Sequence, residues 1–146
     1  RDLHKEYRRQ RQMCIRDSSN IDQIVESAAK QDKKYVEADA EPEKGYFYRS
    51  DHFEFAKMGV PALYVDGGID VRGKNKEFGK LKKNEYTENH YHSLSDEILD
   101  EWTYDGMIED NKILFRVGYA ISQHDEWPTW NEGTEFKAVR ETMLTK

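Results

Sequence analysis

The clearest pattern of apolar and polar positions begins just after residue 18. Apolar side chains recur there at the spacing of one helix face, at Ile21, Ile24, Val25 and Ala28. Ser18, Ser19 and Asn20 precede them and are residue types that cap the first turn of a helix. The pattern therefore predicts an amphipathic helix over residues 20–32.

A second pattern is the apolar run at residues 60–65, which is interrupted only by Pro61. Such a run is typical of a strand that is buried in a parallel sheet. A short helix is expected before it, capped by Ser50 or Asp51. Gly59 is expected to end that helix, because glycine readily takes the left-handed conformation at a helix end.

The remaining segments are a polar stretch and two further helices. Residues 69–90 are charged and show no period, so a long surface loop is expected there. Apolar positions predict a long helix over residues 105–123, and residues 135–143 form a last short helix. The predicted inner face of the long helix consists of Ile108, Asn111, Leu114, Phe115, Val117, Gly118 and Ile121. This order of elements indicates an α/β fold with few strands.

The end of the long helix has its own signals. Pro128 is expected to stop it, because proline cannot continue a helix. Trp127 and Trp130 flank that proline and are expected to pack the turn against the body of the domain.

Residues 1–17 differ from the rest of the chain. They contain six Lys or Arg against three acidic residues, and residues 8–18 follow neither a helix nor a strand period. This stretch resembles the conceptual translation of sequencing-adapter DNA found at the ends of metagenomic reading frames. We therefore predict that residues 1–17 are a non-native segment outside the fold, which starts at residue 18. A basic arm that binds membranes or nucleic acid is the alternative.

Composition narrows the class of protein. Of the 146 residues, 36% are charged and 36% are hydrophobic, and the mean hydropathy is −1.03. These values suggest a piece of a larger fold, with many covering helices and few central strands. The net charge of −6 argues against nucleic-acid binding. No apolar run reaches transmembrane length. The one cysteine, Cys14, lies in residues 1–17, so the remainder forms no disulfide.

Two motifs carry the candidate chemistry: Arg49-Ser50-Asp51-His52-Phe53 and Tyr91-His92-Ser93-Leu94-Ser95-Asp96. An Asp, a His and a Tyr-flanked His near the ends of a buried strand are what a metal-centred hydrolase places around a polarised water. Gly59-Val60-Pro61-Ala62-Leu63 lies between them, and a Trp-rich motif follows at residues 127–136. These four motifs, in this order, resemble the C-terminal half of the twenty-eighth metallopeptidase family. That family includes bacterial leucyl-type aminopeptidases, glutamate carboxypeptidase and glutaminyl cyclase.

The resemblance implies a three-layer α/β/α zinc-peptidase fold, of which residues 18–146 are a C-terminal portion. It implies an aminopeptidase-type exopeptidase that acts on peptides through a metal-activated water. It further implies two zinc ions with five protein ligands, of which His92 is the last. Asp51 would orient a neighbouring group by hydrogen bond, and Tyr48 lies near a substrate-binding position. An exported bacterial protein, periplasmic or extracellular, is also implied.

The upstream part of the family pattern is not found in this sequence. It consists of a His-x-Asp motif, a bridging Asp, an adjacent Glu-Glu pair that includes the general base, and a further acid. No Glu-Glu dipeptide occurs in the chain, and no His is followed two places later by Asp. We therefore predict that the chain is a fragment of a zinc peptidase and is inactive as it stands.

Each candidate residue also has a simpler interpretation. His92 could be a surface histidine, and Asp51 could only cap a helix. His52, His90 and His124 are expected to be structural or solvated. Two other function classes stay open. One is a noncatalytic receptor-like or binding module on the same fold. The other is a small module with one structural zinc at His52, His90 and His92, against which the absence of cysteine beyond residue 17 speaks.

Overall fold

The computed structural model describes residues 12–15, 19–39, 41–98, 102 and 104–145. Over these residues the fold is mixed α/β. Its strands are β1 (Gln12–Ile15), β2 (Tyr35–Ala38) and β3 (Val65–Gly67). Its α-helices are α1 (Ile21–Gln31), α2 (Tyr46–Arg49), α3 (His52–Lys57), α4 (Lys76–Asn89), α5 (Asp105–Ser122) and α6 (Lys137–Leu144), and a 3₁₀ turn, Pro42–Lys44, precedes α2. Among the described helices, none is both long and apolar enough to cross a membrane.

The three strands form one sheet in the order β2-β1-β3. β1 runs parallel to β2, with Met13 opposite Val36, and antiparallel to β3, with Met13 opposite Gly67. Residues 12–15 therefore belong to the sheet, although residues 1–17 were expected to lie outside the fold. The apolar stretch 13–15 is too short to show a period of two, and pairing with a strand on each side is what makes it extended.

α1 and α5 pack against each other and form the larger core. Ile113 and Val117 of α5 are buried against four residues of α1, which are Ile21, Val25, Ala28 and Ala29. Val36 of β2 and Val65 of β3 pack against this cluster from the sheet. The predictions of helices over residues 20–32 and 105–123 are thus confirmed, each to within a residue at its ends.

Salt bridges connect the segment that follows α1 to charged residues of α5. Lys34 is only 3% exposed, and its Nζ lies 2.6 Å from Asp110 and 3.3 Å from Glu109. The Arg116 guanidinium donates a hydrogen bond to the carboxylate of Asp32, which holds the pKa of that carboxyl below its ordinary value. These contacts stabilise the packing of α5 on α1 where the apolar contact ends.

A second core is aromatic and joins α2, α3 and the segment before α6. Its buried members are Phe47, Ala56, Trp130 and Phe136. The indole Nε1 of Trp130 donates to the Gly59 carbonyl oxygen at 3.1 Å. Gly59 has a φ of +83°, and a Cβ there would lie 2.8 Å from the backbone nitrogen of Arg140. The expected packing of Trp130 is confirmed, whereas Trp127 is 74% exposed and the expectation for it is wrong.

The prediction of a loop over residues 69–90 is also wrong, because α4 occupies most of that range. The side chain of Asn75 accepts a hydrogen bond from the backbone of Phe78 at 2.9 Å and so caps the first turn. Lys, Glu and Leu, which favour helices, dominate the sequence of α4. Most of its positions are exposed or half-buried. The helix therefore has no continuous apolar face, and its sequence shows no helical period.

Several boundaries differ from the predictions in smaller ways. The strand expected at 60–65 in a parallel sheet is β3, which starts only at Val65 and pairs antiparallel with β1. Residues 60–64 have no regular structure. Asp51 stands at the N-cap position of α3, but its side chain makes no capping hydrogen bond. Ser50 donates its hydroxyl to the Tyr46 carbonyl instead, at 2.7 Å. α5 ends at Ser122, before Pro128, so proline is not what stops it.

Candidate functional site

A cavity of about 570 Å³ opens between α4, the turn at residues 90–97 and the first turns of α5. Aromatic rings form much of its wall, and they belong to Tyr46, Tyr64, Tyr86, Tyr91 and Trp102. The rings of Tyr46 and Tyr64 are stacked, with centroids 6.4 Å apart. A concave site of this size, with aromatic walls and a few polar groups, suits a small molecule or one residue of a peptide.

Ion pairs bring charge into the cavity wall. Lys83 of α4 pairs with Asp66 of β3, and the nearly buried Lys82 pairs with Glu85. The Tyr64 hydroxyl is partly shielded from water, and this burial raises its pKa to about 12. Tyr64 is therefore a neutral hydrogen-bonding group at ordinary pH and has no role as a phenolate.

The turn at residues 90–97 is held by its own polar side chains. The Ser95 hydroxyl donates to the Asn89 carbonyl at 2.8 Å, and the Ser93 hydroxyl donates to the His90 carbonyl at 2.7 Å. The Nδ1 of His90 lies 3.2 Å from both the carbonyl and the hydroxyl oxygen of Ser95. The Tyr86 hydroxyl donates to Asp96 at 2.6 Å. This network joins the end of α4 to the turn that carries the Tyr-His motif.

His92 has a left-handed backbone, with a φ of +58°. This conformation is uncommon for residues other than glycine, and such positions concentrate at functional sites. The imidazole is exposed and stacks on the Tyr91 ring, with centroids 3.9 Å apart. Tyr91 and His90 contribute to the cavity wall, whereas His92 is not part of that wall and lies beside it. This geometry could not be predicted from the sequence, because the sequence Tyr-His-Ser does not determine the φ angle of its histidine.

Asp51 is exposed at the start of α3, next to the half-buried His52. The His52 ring packs against Phe47 at 4.6 Å and Tyr64 at 5.6 Å between centroids. Burial lowers the pKa of His52, and the charge of Asp51 raises it by a smaller amount. Within the described part of the chain, the buried Nε2 of His52 has no hydrogen-bond partner. His52 is therefore a structural histidine in an aromatic setting, as expected.

Tyr48 lies in α2, and its ring packs edge-on against Phe53 at 5.2 Å. Its hydroxyl donates to the Glu135 carboxylate at 2.8 Å. The hydroxyl thus already has an acceptor within the chain, and any contact with a substrate would share or replace that bond. The substrate-binding role of Tyr48 stays a prediction.

The residues of the described ranges do not make up a metal centre. No group of three His, Cys, Asp or Glu side chains comes together there in a way that could hold a metal ion. His52, His90 and His92 do not form the structural zinc site that was one alternative, because they do not converge. His92 therefore remains a candidate ligand whose companions are not found among these residues.

The cavity is the feature that the sequence did not reveal. Its wall takes residues from α4, which was predicted as a loop, and from the first turns of α5, which are far away in sequence. The Asn75 cap followed by Lys, Glu and Leu was the signal that could have identified α4. The placement of α4 and α5 around one cavity depends on tertiary packing and has no local signal.

Comparison with known proteins gives a family match. The family model described as peptidase family M28 matches residues 4–115. The matched range contains the Asp51 and His92 motifs and begins within residues 1–17, while the Trp-rich motif lies beyond it. No curated protein matches the chain. No solved structure matches it either.

Proposed function

This chain belongs to peptidase family M28, and on that premise we propose that it is part of a zinc-dependent exopeptidase of the aminopeptidase type. Members of the family are generally zinc-dependent peptidases. The observation that carries the proposal is the match over residues 4–115, because it includes both the Asp51 and the His92 motif. The left-handed backbone at His92 adds support, because residues of this conformation cluster at active sites, although Lys33 shares the conformation.

In this proposal the cavity receives the terminal residue of a peptide. Its aromatic rings would pack against the side chain of that residue, and the paired Lys83 and Asp66 would meet its polar groups. His92, directly beside the Tyr91 wall, would provide one imidazole for a zinc ion. Asp51 would orient a neighbouring group from the start of α3, and Tyr48 would contact the substrate near Glu135.

The chain alone is proposed to be inactive. Its described residues gather no three metal ligands, and its sequence has no Glu-Glu pair to supply the general base. We propose that residues 1–17, which supply β1 in this chain, are non-native and that the native gene encodes these groups in their place. The test is to sequence the genomic DNA upstream of the codon for Ser18. A frame with a Glu-Glu pair, a His-x-Asp motif and a signal peptide would support the exported exopeptidase, and a frame with none of them would refute it.

The role of His92 can be tested in the enzyme that this genomic sequence completes. We expect His92→Ala to lose one of two zinc ions and most of the turnover of an aminoacyl anilide. Asp51→Asn should keep both ions and lower kcat, and Tyr48→Phe should mainly raise KM. His124→Ala is the matched control, because His124 is exposed and far from the motif in sequence. Unchanged zinc content and turnover in His92→Ala would refute its assignment as a ligand.

A noncatalytic receptor-like or binding module is the second candidate. It is favoured by the lack of a three-ligand group within the described residues. Two measurements test these candidates, one on the purified chain and one on the completed enzyme. Zinc-dependent release of amino acid by the chain itself would contradict its proposed inactivity. A completed enzyme that binds peptide but neither binds zinc nor hydrolyses the peptide would support the binding module.

A further inference from the structure

α5 carries a second apolar face that nothing in the described structure covers. Its five apolar side chains are 40–74% exposed and comprise Met107, Ile108, Leu114, Phe115 and Tyr119. The sequence pattern had assigned Ile108, Leu114 and Phe115 to the inner face, but α1 packs on Ile113 and Val117 instead. Ile108, Leu114 and Phe115 are therefore a correction to the predicted inner face, whereas Val117 and Ile121 of that face pack in the core as predicted.

This open face has no charged side chain. Successive residues of a helix are about 100° apart, so the five apolar residues share one arc with Asn111, Gly118 and Ser122. The charged residues of α5, such as Lys112 and Arg116, lie outside that arc. A contiguous exposed apolar patch of this kind marks a contact site. An apolar partner surface is therefore expected.

The open face, if fully buried, reaches the lower bound for a specific contact between two copies. Phe115 and Tyr119 are 74% and 61% exposed, and their rings stack with centroids 6.5 Å apart. With aromatic side chains of roughly 150–250 Å² and smaller aliphatic ones, the face offers roughly 500 Å² per chain. Two such faces would bury about 1,000 Å², which is the lower bound for a biological interface.

We infer that the open face of α5 pairs with the same face of a second copy, with the two helices antiparallel about a two-fold axis. An isologous contact needs a patch that complements itself. The antiparallel arrangement places the aliphatic end, Met107 and Ile108, against the aromatic end, Phe115 and Tyr119, of the other copy. Gly118 leaves room for a partner side chain, because a Cβ there would have no atom within 4 Å. Met107 and Asn111 also line the cavity, so the partner would sit at its edge.

The test is the molar mass of the purified 146-residue chain by sedimentation equilibrium over a wide range of concentration. We expect the mass to rise to twice 17.3 kDa and to stop there. Added salt should favour the pair, because each copy carries a net charge of −6 and salt screens their repulsion. This measurement is independent of peptidase activity.

Substitutions on the open face test whether this face forms the contact between the two copies. Phe115→Glu and Ile108→Glu lie at opposite ends of the open face, and each should weaken pairing at least tenfold while leaving the circular-dichroism spectrum unchanged. Leu81→Glu is the matched control, because Leu81 is a 63% exposed apolar residue of another helix, α4. A wild-type chain that stays monomeric would overturn the inference and indicate that another part of the peptidase covers the face. Mass that rises without a plateau, or pairing that both variants retain, would overturn it as well.

Discussion

Gly79 stands where α4 touches the chain that follows β3, and alanine does not fit there. A Cβ at this position would lie 2.0 Å from the carbonyl oxygen of Ile69 and 2.7 Å from its carbonyl carbon. Both atoms belong to the backbone, so no side-chain rotation can relieve the overlap. The neighbouring Val71 is fully buried, which leaves the loop little freedom to move away.

The expected size of the effect of Gly79→Ala follows from two opposing contributions. Alanine favours a helix interior over glycine by about 0.5–1 kcal/mol. Overpacking costs about 1–3 kcal/mol, and rigid backbone contact belongs at the upper end of that range. We therefore expect the free energy of unfolding to fall by roughly 2 kcal/mol, which corresponds to a urea midpoint lower by about 1 M.

Gly118→Ala is the matched control for Gly79→Ala. Gly118 is also a helix-interior glycine, but a Cβ there meets no atom within 4 Å. Its substitution should therefore raise the free energy of unfolding by up to about 1 kcal/mol through helix propensity alone. Both variants are compared with wild type by urea unfolding, followed by circular dichroism at a low protein concentration. Equal stabilisation by the two substitutions would show that α4 does not approach Ile69 closely.

Three further predictions concern the aromatic core and β1. Trp130→Phe removes the indole hydrogen bond to Gly59 and should lower the free energy of unfolding by about 1 kcal/mol or more. Trp127→Phe is the control and should change it little, because Trp127 is exposed. Urea unfolding measures both effects. The pKa of His52 is lowered from 6.5 by burial, so the unfolded chain takes up its proton first and stability should fall as the pH drops below 6.5. His52→Phe should reduce that dependence in melts at several pH values, and an unchanged slope would contradict the burial. Deleting residues 1–17 removes β1, which pairs with both other strands, and should abolish a cooperative melt; an unchanged melt would show that the strand contributes no stability.

α1 and α5, the two long helices that the sequence predicted correctly, each have a covered apolar face. α1 has Ile21, Val25 and Ala28 on one side and charged residues on the other, and this contrast is what a period of 3.6 records. α4 has no such contrast, because ion pairs and a side-chain cap hold it on a largely exposed surface. Periodicity therefore misses helices that gain their stability from capping and propensity rather than from burial.

The candidate site could likewise be predicted from the sequence only in part. The motifs around Asp51 and His92 could be found because they are contiguous in sequence, and the family match includes both. The cavity beside His92 could not be found, since Tyr46, Tyr86 and Trp102 come from segments that meet only in the folded chain. The left-handed backbone of His92 is likewise set by the hydrogen-bonded turn around Ser93 and Ser95.

α5 has two apolar faces, and the way α1 packs on it determines which of them is buried. Burial of Leu, Phe, Ile or Val stabilises a fold by similar amounts, so hydrophobicity alone does not rank the face of Leu114 and Phe115 against that of Ile113 and Val117. α1 presents Val25, Ala28 and Ala29 to α5, and small residues at a helix contact leave room for the branched side chains Ile113 and Val117. The salt bridges of Lys34 with Glu109 and Asp110 fix the same rotation of α5. Shape and charge at this contact therefore turn Phe115 outward, where it is available for a second partner.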